Sequence, residues 1–162
     1  MSDHYSILGT ISGTSADGID LAWIETDGRT VARFGPAETA SYRPETKRRV
    51  LEAAARKGTG RDDWPEIAAA VTRDHAEAIL GFLATHGLAP DAVVFHGQTV
   101  WHDPAKGETV QLGDPQSLAT DLNVPVIGDV RLADMVAGGQ GAPLVPVYHQ
   151  ALAKTLVGED KE

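Results

Sequence analysis

The sequence predicts an α/β fold: a mixed sheet that opens with a β-meander and is flanked by helices. Three observations predict it. Ile19, Leu21 and Trp23 recur at the two-residue period of a half-buried strand. Between residues 43 and 87 the apolar residues fall at helical spacing instead. After residue 90, short apolar runs end in stretches rich in Gly, Asp and His, as strands feeding polar loops do.

The elements follow in order. "YSILGTI" is a first strand, and the stretch from Gly9 to Asp20 ("GTISGTSADGID") turns into a second, "GIDLAWIETDG". Asp27-Gly28 predicts a type I′ hairpin turn, because both residues tolerate positive φ. "TVARFGPAETASY" is a third strand, interrupted at Gly35-Pro36. "RPETKRRVLEAAARKG" is a helix: Pro44 suits its first turn, Glu45 its positive end, and Gly58 follows its last turn. "DDWPEIAAAVTRDHAEAILGFLATHG" is a longer helix with Ile67, Val71, Ala78, Ile79, Phe82 and Leu83 on one stripe. Asp62 or Asp63 can cap it, and Gly87 ends it. His75 lies beside the stripe and reads as a surface or half-buried histidine without a catalytic role. "DAVVFHG" is a buried strand, "TVQLGDP" a short one, "PQSLATDLN" a short helix and "VPVIGDV" a further strand. "AGGQGAPLVP" is a loop with Gly138, Gly139 and Gly141, and "VYHQALAKTLV" a helix before the charged "GEDKE". No internal repeat or low-complexity segment interrupts the series.

Fourteen Lys and Arg against 23 Asp and Glu leave a net charge of −9. Nucleic-acid and anionic-membrane surfaces need clustered cations, so neither is an expected partner. The absence of cysteine excludes disulfides, zinc–thiolate sites and thiol nucleophiles. No secretory signal pattern and no stretch near the ~20 apolar residues of a membrane helix occurs, which points to the cytoplasm.

Polar loops are expected at Gly9–Asp17, His96–Asp103, Gly113–Asp114 and Gly128–Asp134, gathered beyond the carboxyl ends of the strands. In the first, Gly9, Gly13 and Gly18 can take positive φ and let backbone N–H groups approach a ligand. Thr10, Ser12, Thr14 and Ser15 add hydroxyls, and successive donors of this kind make an anion-binding concavity. A phosphate fits it, as does a tight hairpin with local Ser, Thr and Asp turn bonds. Asp17 or Asp20 would suit a Mg²⁺ lying between carboxylate and phosphate. Neither GxxxxGK[ST] nor a helix-opening GxGxxG is present. In "FHGQTVWHDP", Gln98 and Thr99 suit a hydroxyl-rich ligand. His96, His102 and Asp103 there, with His149, are the candidates for a metal-dependent hydrolase. Arg131 could clamp a carboxylate or phosphate, or pair with Asp129 or Asp134 at the surface.

Five ordered stretches, "SGTSADGID", "HGQTVWHDP", "TVQLGDP", "VPVIGDVRLAD" and "GGQGAPLVPVYH", resemble the anhydro-N-acetylmuramic acid kinases. The resemblance runs from about residue 7 to about residue 150, with the helical stretch between Thr39 and Pro90 adding little to it. It implies a lobe of the actin-like (ribonuclease H-like) ATPase superfamily, which also holds hexokinase and Hsp70, two-lobed proteins with a nucleotide cleft. It implies ATP with Mg²⁺ as cofactors and 1,6-anhydro-N-acetylmuramic acid as substrate. Phosphorylation with hydrolytic ring opening would then give N-acetylmuramic acid 6-phosphate in cell-wall recycling. The family's ATP-phosphate segment maps onto Gly13, Thr14, Ser15, Ala16, Asp17, Gly18, Ile19 and Asp20. His96, Gln98, Thr99, Arg131 and Asp134 are the sugar-pocket candidates, with Arg131 a cation for the lactyl carboxylate. The implied general base belongs to a DTGP-like block, which this sequence lacks, so no catalytic residue is assigned; Asp17, Asp129 and Asp134 do not fill the role. Residues 1–162 are accordingly expected to be the N-terminal lobe of a two-lobe kinase about twice this length, inactive unaided, with room for a homodimer. The alternative is a non-catalytic phosphate- or sugar-binding lobe that needs a partner chain.

Overall fold

The computed structural model describes residues 4–157. Three strands, β1 (Tyr5–Ser12), β2 (Ile19–Thr26) and β3 (Val31–Ala40), form the antiparallel meander. Helices α1 (Pro44–Ala55) and α2 (Trp64–His86) follow. β4 (Ala92–Asp103) then enters parallel to β1, and β5 (Glu108–Leu112) runs back antiparallel along its second half. After α3 (Pro115–Leu122), β6 (Val126–Ile127) pairs parallel with Val93 and Val94 of β4. α4 (Val130–Val136) and α5 (Pro146–Val157) complete the chain order. The sheet order is β3-β2-β1-β4-β5, with β6 also on β4.

Strand alternation decides which side is core. Leu8, Ile19, Leu21, Trp23, Val93 and Phe95 are buried together with Val50 of α1, Ile67, Val71, Ile79 and Phe82 of α2, and Leu118 of α3. The opposite alternants, Gly9, Ile11, Asp20, Ala22, Val94 and His96, line a groove of about 520 Å³ closed by Val130, Leu144, Val145 and Tyr148. Helices thus pack on one face, and the α4–α5 region borders the other.

Several expectations are corrected. β3 is continuous through Gly35-Pro36, with a register shift against β2 between Ala22 and Ile24 instead of a break. Gly35 lies where a Cβ would stand 3.0 Å from Trp23 Cγ, and Pro36 is tolerated because β3 is an edge strand. The β2–β3 turn is not type I′: Gly28 has φ 83°, but Asp27 is not left-handed. Instead the Asp27 carboxylate accepts from the N–H groups of Thr30 (2.6 Å) and Arg29 (2.8 Å), which draws its pKa down to about 2. Asp63 occupies the N-cap position of α2 as expected, but its side chain makes no capping bond; the carboxylate accepts from Arg56 Nη2 at 2.8 Å instead. His75 is fully buried, between the rings of Tyr42 and Phe95. Its Nδ1–H donates to the Val71 carbonyl at 2.9 Å, and burial lowers its pKa to about 4. The polar stretch His96–Asp103 is not a loop but the second half of β4, and most of Gly128–Asp134 is α4. Gly87 does end α2 left-handed, at φ 63°, and Asp114 caps α3 through the N–H groups of Gln116 and Ser117.

Candidate functional site

The β1–β2 turn, residues 13–18, projects from the sheet beside β4. Parallel pairing brings Ser12 level with Gln98. Gln98 is fully buried, and every polar atom of its carboxamide is used within the chain. Its Oε1 accepts from Ser12 Oγ (2.5 Å) and Tyr42 Oη (3.2 Å), while its Nε2 donates to the carbonyls of Gly13 (3.0 Å) and Thr99 (3.3 Å). Burial pushes the Tyr42 phenol pKa up, so it stays a proton donor. The turn itself closes through the Ala16 N–H donating to the Gly13 carbonyl at 3.0 Å.

The left-handed residue of this turn is not a glycine. Gly9, Gly13 and Gly18 all lie outside that region, and Ala16 carries φ 49° with no exposed surface. A left-handed alanine costs on the order of 1 kcal/mol, so the surrounding packing must hold it. Gly18 is required by β3: a Cβ there would stand 2.5 Å from Thr39 Cγ2. Gly13 has no such crowding, since a Cβ would meet only Ser15 Oγ at 3.6 Å.

Thr14, Ser15 and Asp17 face solvent. Among the described residues, no acceptor takes the N–H of Thr14, Ser15 or Asp17, and no partner takes the three side chains. The turn therefore offers free donors from backbone and hydroxyl together, beside one free carboxylate. Asp20 differs: its Oδ1 accepts from Thr39 Oγ1 at 2.6 Å, and the residue lines the groove on the other sheet face.

A second polar cluster sits at His96. The Gly97 carbonyl can only accept, so His96 Nδ1 carries the proton of their 2.9 Å bond. Nε2 then accepts from Arg131 Nε at 2.7 Å. Burial first, and the guanidinium beside it, hold the His96 pKa down, so the imidazole is neutral. Arg131 Nη1 donates to the Gly141 carbonyl at 2.6 Å, and Asp134 Oδ2 accepts from the Gly141 N–H at 2.8 Å. Neither the Asp129–Arg131 nor the Arg131–Asp134 ion pair forms; among the described residues no carboxylate neutralises Arg131.

The five sugar-pocket candidates therefore divide. His96, Arg131 and Asp134 share one cluster with Gly141, whereas Gln98 lies inside the core under the β1–β2 turn. Thr99 is buried and accepts from Gln111 Nε2 at 3.3 Å. His102 bonds Thr109 at 3.1 Å and Asp103 pairs with Lys106 at 3.1 Å, so the hydrolase set is not gathered. Among the described residues no three His, Asp or Glu side chains converge as metal ligands. Tyr42, which completes the Gln98 network, carries no signal in "ASYRPE" that sets it apart from an ordinary strand end.

No helix among the described residues is long and apolar enough to cross a membrane. Residues 5–159 match the anhydro-N-acetylmuramic acid kinase family. The anhydro-N-acetylmuramic acid kinase of Rhodopseudomonas palustris is 51% identical over 161 residues, covering 92% of this chain and 43% of the relative. Those of Bradyrhizobium diazoefficiens and Paramagnetospirillum magneticum are 50% and 47% identical over 94% and 92% of this chain, and 44% and 42% of their own length. The chain thus spans less than half the length of the curated relatives it matches. With a match that runs through the β1–β2 turn, β4 and the Arg131 cluster alike, the chain belongs to the anhydro-N-acetylmuramic acid kinase family.

Proposed function

We propose that this chain supplies the phosphate-holding N-terminal lobe of an ATP-dependent kinase acting on 1,6-anhydro-N-acetylmuramic acid in the cytoplasm. In that reaction the γ-phosphoryl group of ATP passes to O6 of the sugar. Water adds to the anomeric carbon as the C1–O6 bond breaks, giving ADP and N-acetylmuramic acid 6-phosphate. The observation that carries the reading is the β1–β2 turn, where unpartnered N–H groups and hydroxyls of Thr14 and Ser15 stand beside an uncrowded Gly13.

Phosphoryl transfer depends on alignment and charge stabilisation more than on covalent help from the protein. Donors held before the reaction begins stabilise phosphoryl oxygens without reorganising, and Ala16, buried in its left-handed conformation, keeps these donors in place. Asp17 fits a magnesium ion, because its carboxylate is exposed and unshared, whereas Asp20 is engaged by Thr39. When bound, magnesium would neutralise phosphate charge there. On the sugar side, neutral His96 leaves the Arg131 charge available for the lactyl carboxylate. No residue of this chain is assigned as the base that activates water. Since the chain spans 43% of its relatives' length, turnover is expected to need the part of the family protein it does not span.

The test is titration of isotopically labelled chain with a magnesium complex of a non-hydrolysable ATP analogue, followed by amide NMR. Shifts should concentrate at Gly13–Asp20. Saturable shifts elsewhere with that turn silent would refute the assignment.

A further inference from the structure

We propose that Gln98 is a positioning residue: its buried carboxamide sets the direction in which the Thr14 N–H points, and so aims the phosphate-holding turn. The inference rests on the phosphate reading above and adds a residue to it.

The argument is geometric. The Gly13 carbonyl receives two donors from the protein side, the Ala16 N–H at 3.0 Å and Gln98 Nε2 at 3.0 Å. A trans peptide is planar, with C=O and N–H on opposite sides. Drawing the Gly13 oxygen toward buried Gln98 therefore turns the Thr14 N–H the other way, outward, where no acceptor among the described residues meets it. Gln98 is itself fixed: Ser12 and Tyr42 both donate to Oε1, which orients the amide so that its NH₂ faces Gly13. Ser12 ends β1, Tyr42 precedes α1 and Gln98 belongs to β4. One buried amide thus ties β1, β4 and the segment before α1 to one peptide of the turn. A buried polar group engaged on every side is costly to break, which suits a fixed reference point.

The test compares the unaltered chain with Gln98→Met, which keeps length and removes both amide functions. Two quantities are read: exchange of the Ala16 amide hydrogen, and affinity for inorganic tripolyphosphate with magnesium. Both should change about tenfold, exchange faster and binding weaker, while the slowest amides of α2 exchange as before. A change in the Ala16 amide no larger than that of the α2 amides would make Gln98 an ordinary core residue and overturn the proposal. So would tripolyphosphate binding unaffected by the substitution. If Gln98→Met does not fold, the pair Ser12→Ala with Tyr42→Phe releases the amide's acceptor end and is read the same way. Absence of tripolyphosphate binding by the unaltered chain would overturn the phosphate reading itself, a distinct failure.

Discussion

Replacing Gly18 by alanine tests how the turn is joined to the sheet. Gly18 is not left-handed, so a methyl group there acts through space rather than through backbone strain. The new Cβ would lie 2.5 Å from Thr39 Cγ2 and 3.1 Å from the Ala40 carbonyl oxygen. Thr39 cannot easily turn away, because it is β-branched and its Oγ1 donates to Asp20 Oδ1 at 2.6 Å. Relief therefore requires β3 to move from β2. Overpacking of this kind costs about 1–3 kcal/mol. At ~2–4 °C per kcal/mol for a chain of this size, Gly18→Ala should melt roughly 2–12 °C lower. Thr39→Ser deletes the offending methyl and keeps the hydroxyl, so it should recover about half the loss or more in a double-mutant cycle. The Ala40 carbonyl contact limits full recovery. Thermal melts of the four proteins by circular dichroism decide it. An equal cost of Gly18→Ala in both backgrounds, or no measurable cost, would refute the steric account.

Other outcomes follow from single groups. His75 titrates at about 4 in the folded chain against an ordinary 6.5. The unfolded chain therefore binds the extra proton between these values, and stability should fall by up to about 3 kcal/mol as pH drops from 6.5 to 4. Urea melts of His75→Leu should lack that contribution; a stability difference from the unaltered chain that stays constant over the window would disprove it. Asp114→Ala removes the α3 cap and should cost about 1 kcal/mol, largely recovered in Asp114→Asn, as read from thermal melts. Arg131→Ala in an intact family enzyme carrying these residues should weaken anhydro-sugar binding about tenfold or more and leave nucleotide affinity near its starting value. Calorimetry with each ligand reads the ratio, and equal losses would remove Arg131 from the sugar side.

Sequence pattern was sufficient where local physics decides. Ile19, Leu21 and Trp23 face the core as their period demands. The two long helices end near Gly58 and Gly87 because left-handed residues stop them there. It failed where tertiary partners decide. Val130–Val136 lies between Gly128 and Gly138-Gly139, which make the stretch look like a loop, yet it forms α4, from which Arg131 and Asp134 hold Gly141. His75 reads as a surface or half-buried residue on helical spacing, but α2 is covered on that side by both Tyr42 and Phe95. The left-handed position of the β1–β2 turn falls on Ala16, which glycine counting cannot find, since its conformation is set by burial and by the bond to Gly13.

The division of the "FHGQTVWHDP" residues has a single cause in the backbone. Pairing with β1 runs Thr10 to Phe95 and then Ser12 to Gln98, so β4 advances three residues while β1 advances two. The extra residue makes a bulge at Gly97, whose φ is 70° and where a Cβ would stand 2.8 Å from the Leu112 carbonyl oxygen. In a regular strand His96 and Gln98 would share a face. The bulge reverses the alternation beyond it. Phe95 and Gln98 both face the α2 side, where His75 packs on Phe95 and Tyr42, and Tyr42 bonds Gln98. His96 is left on the opposite face with Val94 and Arg131. One left-handed glycine thus lets one strand serve both clusters: Gln98 bonds the Gly13 carbonyl of the β1–β2 turn, and His96 bonds the Arg131 guanidinium. Without the bulge His96 and Gln98 would share one face, which is why the sequence offers them together as candidates for one pocket.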